Sequence, residues 1–121
     1  MKYLIALSAF VASVAAWEVT IYENANYGGW SKSYSNSWNT NQKILLSGYL
    51  NDATSSFIFS GDRNDLDLKV NSITLYKNYD SDGNCNDQIG YSCGSWSDNQ
   101  ISAANNDQLS CIQISYHVFG C

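Results

Sequence analysis

Apolar and polar residues alternate along most of this chain with a period of two, the spacing of strands that bury one face. From Glu18 to Tyr22, Val19 and Ile21 share a face; Asn24 to Asn26 and Gly28-Gly29 form a turn, and Trp30 to Tyr34 returns as a second strand. Beyond the polar run Ser35 to Gln42, Ile44-Leu45-Leu46 predicts a third short strand and Phe57 to Ser60 a fourth. The plan then recurs. Ser72 to Lys77 aligns Ile73 with Leu75, and Tyr79 to Asn84 is turn chemistry. The stretch holding Cys85 and Cys93 reads as irregular, Ile101 marks a weak strand, and Cys111 to Val118 puts Ile112, Ile114, Tyr116 and Val118 on one face. Eight short strands, each burying one face, predict an all-β antiparallel sandwich of two sheets. The polar connector Gly61 to Asp67 is too short to separate two domains.

The chain ahead of Trp17 follows a different pattern. Lys2 precedes an apolar run from Tyr3 to Val14, and Val14-Ala15-Ala16 ends in a small residue. This is the form of a secretory signal peptide over positions 1–16. A membrane anchor needs about 18 or more apolar residues, and this run is shorter. The expected mature chain, 17–121, is one domain by size, and it is an extracellular one.

Two landmarks repeat in register. Asn51-Asp52-Ala53-Thr54-Ser55-Ser56 recurs in the second half as Asn106-Asp107-Gln108-Leu109-Ser110-Cys111, and each copy runs into apolar alternation. Tyr22 with Gly28-Gly29 is echoed by Tyr76 with Asp82-Gly83, at nearly the same offset along the chain. A repeat of this kind is one structural unit used twice, and the loops it carries offer hard oxygen donors.

The aromatic-to-glycine hairpin followed by the Asn-Asp-x-x-Ser-Ser stretch resembles the Greek-key motif of the βγ-crystallins, with its calcium-binding double clamp. The resemblance covers essentially everything after residue 17, with motif 1 at about 17–63 and motif 2 at about 70–121. It implies an eight-stranded βγ-crystallin-like sandwich holding two Ca2+ sites, each built jointly by the two clamp turns. The implied ligands are the carboxylates of Asp52 and Asp107, the hydroxyls of Ser55 and Ser110, and the backbone oxygens of Ala53 and Gln108. The residue after each hairpin tyrosine, Glu23 or Lys77, is implied to add its backbone oxygen. How the ligands divide between the sites stays open. The first clamp matches in full. The second ends in Cys111 where the family has Ser, a residue that there anchors the folded hairpin. Lys77, in place of an acid, brings an ammonium that weakens attraction for a cation.

Other chemistries fit less well. Asp80-Ser81-Asp82-Gly83-Asn84 is superficially an EF-hand loop, but its glycine is fourth rather than sixth and Tyr91 stands where the bidentate Glu belongs. His117 is the single histidine, and no nucleophile elbow, phosphate loop or zinc-protease helix is present, so no enzyme is expected. Removing Lys2 from the six Lys and Arg leaves five cations against eleven acids, which argues against nucleic acid or anionic membranes as partners. The protein partner is left unspecified.

Cys85, Cys93, Cys111 and Cys121 are an even set, which in a small secreted chain reads as two disulfides; Cys85 to Cys93 is too long a spacing for a zinc knuckle. Cys111 and Cys121 cannot pair, because a strand over Cys111 to Val118 runs about 23 Å at 3.3 Å per residue and three residues return only about 10 Å. Two pairings survive. The Greek-key order implied by the resemblance favours Cys85–Cys111 with Cys93–Cys121, since the fourth strand of a motif lies antiparallel to its first. The bridge to Cys111 would then replace the anchoring Ser. The function implied is a non-catalytic, calcium-stabilised extracellular module. The alternative is a small effector on the same fold, such as a killer toxin or protease inhibitor. An exposed aromatic patch drawn from Trp30, Trp38 and Trp96, or a protruding loop around Cys85 to Cys93, would mark it.

Overall fold

The structure, a computed structural model, describes residues 16–61, 63–64, 69–102 and 105–121. The leader over 1–16 lies outside these except for Ala16, and part of the Gly61 to Asp67 connector does as well. Nine strands are present among the described residues: β1 (Ala16–Asn24), β2 (Gly28–Ser37), β3 (Gln42–Leu45), β4 (Ser56–Ser60), β5 (Arg63–Asn64), β6 (Lys69–Tyr79), β7 (Cys85–Cys93), β8 (Trp96–Asp98) and β9 (Cys111–His117). Every pairing between them is antiparallel.

One sheet runs β2-β1-β4-β8 and the other β3-β9-β6, with β7 and the short β5 both paired to the far side of β6. In each motif the fourth strand lies beside the first, β4 on β1 and β9 on β6, which is the Greek-key order. The third strands are exchanged. β3 of the first motif pairs with β9, and β8 of the second pairs with β4. Eight strands therefore belong to the two Greek keys, four to each sheet, and Arg63–Asn64 adds a two-residue strand inside the expected connector.

The core is what the alternation predicts. Trp17, Val19 and Ile21 of β1 and Phe57 and Phe59 of β4 face Ile73 and Leu75 of β6 and Ile112 and Ile114 of β9, all buried. Burial of each such side chain is worth about 1.5–3 kcal/mol, which is the main force closing the two sheets. Leu46, Ile101 and Leu109 fill the core from outside the strands.

Three local expectations are corrected. Residues 85–93 are not irregular but form the nine-residue strand β7. Its only large aliphatic is Ile89, and a bulge opposite Leu75 and Tyr76 breaks the period-two pattern by one residue. Ile101 is not a strand residue; the strand is Trp96–Asp98, too short to show alternation, while Ile101 sits in a loop with its side chain in the core. The last strand ends at His117, so Val118 is exposed rather than aligned with Ile112 and Ile114. The Asp80 to Asn84 segment is a hairpin turn, its Asp80 Oδ1 accepting the N–H groups of Asp82 and Asn84, each at 2.9 Å.

Both hairpin tips fold back over their sheets. In the first motif the Asn26 N–H donates to Asn99 O at 2.7 Å, just past the exchanged strand β8. In the second, Lys43 Nζ of the exchanged strand β3 donates to Gly83 O at 3.0 Å, and Tyr79 OH donates to Leu46 O at 2.8 Å. In both halves the tip reaches the exchanged strand's end of the sheet, through backbone in the first and through side chains in the second.

Candidate metal centre

The repeated Asn-Asp-x-x-Ser stretches meet at the pseudo-twofold axis between the motifs. Asp52 and Asp107 each adopt the left-handed backbone conformation, with φ of 56° and 57°. Few side chains accept that region, and Asp and Asn are among them because their short polar groups bond locally. The kink turns the flanking amides toward the opposite clamp. The Asp52 N–H donates to Leu109 O at 3.0 Å, and the Asp107 N–H donates to Thr54 O at 3.1 Å. Further along each clamp, the Ser55 N–H donates to Tyr22 O and the Ser110 N–H to Tyr76 O, both at 3.0 Å. Each clamp is thereby tied to the hairpin of its own motif as well as to the other clamp.

The side chains cross between motifs in the same reciprocal way. Ser55 Oγ donates to Asp107 Oδ1 at 3.1 Å, and Ser110 Oγ donates to Asp52 Oδ1 at 2.9 Å. One cleft is lined by Asp52, Lys77, Asn78, Asp107 and Gln108; a second contains Asn24, Ala25, Ser55 and Asn106 beside Gln100 and Ile101. Of the sequence-derived ligands, the structure brings Asp52, Asp107, Gln108 and Lys77 into one cleft and Ser55 into the other. Ser110 is buried beside Asp52. Glu23 and Ala53 line neither of these two clefts. Glu23 Oε1 instead lies 3.4 Å from the Trp30 N–H within its own hairpin. Asn24 and Asn78, one position beyond the expected pair, line a cleft each, and sequence reasoning passed them over. Their signal was available: both are Asn, and they stand at the same offset as the hairpin repeat.

The donors gathered here are carboxylates, hydroxyls, amide oxygens and carbonyls. That set suits a hard cation such as calcium, which takes six to eight oxygens, rather than zinc or copper. Among the described residues no three His, Cys, Asp or Glu side chains converge. All four cysteines are oxidised, as Cys85–Cys111 and Cys93–Cys121, and their sulfurs are not thiolates for zinc. Asn51 Oδ1, at the head of the first clamp, is a buried oxygen with no hydrogen-bond partner among the described residues. The residues present fit an oxygen-ligated ion.

Below the clamps the repeat departs from symmetry at one position. Ser56 is fully buried, donates from Oγ to Asn24 O at 2.7 Å and accepts the Tyr27 N–H at 3.0 Å, so it holds the first hairpin down. Its counterpart Cys111 is equally buried and holds the second hairpin through the bridge to Cys85.

No protein-family model and no curated protein matches the sequence. Solved structures do match. A βγ-crystallin domain from Flavobacterium johnsoniae superposes with a TM-score of 0.52 at 20% identity, covering 79% of this chain and 91% of that one. A domain from work on the evolution of the eye lens βγ-crystallin domain fold superposes with a TM-score of 0.58 at 19% identity, covering 90% of this chain and 95% of the other. The chain has the βγ-crystallin fold. On this βγ-crystallin sandwich the three tryptophans considered as a surface patch are each half-buried, and Trp30 and Trp96 pack against the core. Trp30 stacks edge-on against Tyr49, Trp38 against Tyr116, and Trp96 against Phe57. His117 Nε2 lies 2.8 Å from Ser72 Oγ, on the opposite face of β9 from Tyr116.

Proposed function

We propose that this chain is a secreted, non-catalytic calcium-binding module whose two sites are shared between the paired clamps. The observation that carries the reading is the reciprocal crossing of side chains, Ser55 to Asp107 and Ser110 to Asp52. Two oxygen-rich turns, each strained at an aspartate and each completed by the other's serine, are an arrangement for holding a cation between them. Asp52, Asp107, Ser55 and Ser110 would hold the ions with side-chain oxygens, helped by backbone oxygens at Ala53, Gln108, Glu23 and Lys77. Calcium would supply a cross-link between the motifs that only the native state can offer.

The effect is thermodynamic. For sites half-filled near ten micromolar, millimolar extracellular calcium is about a hundredfold excess, and each site then adds about 2.7 kcal/mol to the folded state. Against a total of about 5–15 kcal/mol for a small domain, that is a large share. Calorimetric titration of chelator-stripped protein tests the reading: two binding events are expected, with a higher melting temperature in millimolar calcium than in chelator. Asp52→Asn or Ser55→Ala should weaken both steps while the fold persists in chelator. Superimposable melting curves in chelator and in calcium would refute calcium binding.

A further inference from the structure

The bridge Cys85–Cys111 spans a distance that an open hairpin could not. Cys85 is the partner of Tyr79 on one side of β6, and Cys111 is the partner of Tyr76 on the other. Three residues along β6 are about 10 Å, and two strand spacings across it are again about 10 Å, so a flat sheet would hold the two Cα atoms about 14 Å apart. They are 6.0 Å apart. The tip of the β6–β7 hairpin is bent back over β9, consistent with its contacts to Lys43 and Leu46 on the far side of that strand. The end of β6 that leads into this tip contributes Lys77 and Asn78 to the cleft with Asp52 and Asp107. Tyr76 O receives the Ser110 N–H, and Ser110 immediately precedes Cys111.

We infer that Cys85–Cys111 is a positioning element for the second clamp, coupling calcium affinity there to the oxidation state of the bridge. This rests on the calcium reading above. The first motif achieves the same fold-back through hydrogen bonds, those of Ser56 and the tip bond from Asn26 N–H to Asn99 O, which no redox change can release. The second clamp is therefore conditional and the first is not. Cys93–Cys121 ties the chain end to the far end of β7, away from the clamp, and serves as the control. On reduction by a dithiol such as dithiothreitol, the bridge takes two electrons and two protons to give two thiols, and the dithiol closes to its cyclic disulfide.

The test compares the oxidised protein with Cys85→Ala/Cys111→Ala, which leaves no serine to take over the anchor, and with Cys93→Ala/Cys121→Ala, using calcium titration and hydrogen exchange. The first variant should lose about tenfold in affinity over its two steps, since each site is built by both clamps, within the range usual for coupled sites. The second should titrate as the parent does. In chelator, the amides of Tyr76 to Asn78 and of Ser110 should exchange faster only in the first variant, a readout that needs no calcium. By reciprocity, the equilibrium constant for dithiothreitol reduction of Cys85–Cys111 in the parent should fall by the same factor when calcium is added. This last measurement stands even where a double variant fails to fold. Equal titrations for parent and Cys85→Ala/Cys111→Ala, with unchanged exchange, overturn the inference. An oxidised parent that binds no calcium overturns the calcium reading instead, and the exchange in chelator then still shows whether the bridge positions the clamp.

Discussion

Replacing Ser56 by alanine removes the one side chain that fastens the first hairpin to β4. The hydroxyl makes two hydrogen bonds, donating to Asn24 O at 2.7 Å and accepting from Tyr27 N at 3.0 Å, from a fully buried position. An intramolecular hydrogen bond contributes about 1 kcal/mol net, and a polar group left without a partner costs about 1–3 kcal/mol. Asn24 and Tyr27 are both exposed, so water can reach the groups that Ser56 abandons, and the lower figures apply. The expected loss is then about 2 kcal/mol, or about 10 °C in melting temperature for a domain of this size. Near-UV circular dichroism in chelator, reporting on the buried aromatic core, measures this without any contribution from metal. Ser60→Ala, on the exposed end of the same strand, is the matched control and should fall within about 0.5 kcal/mol of the parent. A Ser56→Ala melting point within about 2 °C of the parent, taking ~4–8 °C per kcal/mol, would mean that the hairpin is held by something other than this hydroxyl.

Three further outcomes are expected. Gly90→Ala should destabilise by about 1–3 kcal/mol and perturb tryptophan fluorescence, because a Cβ there would meet Trp96 Cη2 at 2.5 Å while that ring is already wedged on Phe57; an unchanged melt would show that the ring can move aside. Thr54→Val should leave stability unchanged or raise it by about 1 kcal/mol in chelator, since Thr54 Oγ1 is buried with no partner among the described residues; a loss above that size would reveal a hidden partner for the hydroxyl. The Asp80 carboxyl titrates below the usual carboxylate range, chiefly because its charged form accepts the Asn84 backbone N–H. A depressed folded pKa means that its contribution is present above the unfolded value and is lost as pH falls through the folded one. Asp80→Ala should therefore flatten the acid limb of the stability profile, and identical limbs would count against the turn's role.

Much of the architecture was legible because Val19 and Ile21, Ile73 and Leu75, and Ile112 and Ile114 alternate cleanly on strands that bury one face. The clamps were legible for a different reason: a strained turn narrows the choice of residue, and the same choice appears twice. The cysteine that replaces the second anchoring serine stood out only against the first copy. β7 was hidden because an edge strand next to a bulge carries neither an apolar run nor a constant parity. β8 was hidden because three residues are too few to show a period. The cleft asparagines were missed because lining a cleft depends on how the hairpins fold back over the sheets, and no local pattern along the chain encodes that.

The exchange of third strands also shapes how this chain must fold and fail. Ile44 pairs with Ile112, and Phe57 with Asp98, so each sheet is completed by residues from the other end of the sequence. Such distant pairings postpone the reward for ordering the chain, and folding is expected on the slow side, in milliseconds to seconds. Neither half owns a full sheet. A chain severed between the motifs would yield two fragments that are each missing a strand and its opposing layer, and only their recombination restores both. Loosening either half withdraws a strand from the other, so the molecule is expected to melt as a single unit, leaving a protease no stable half-opened form to find.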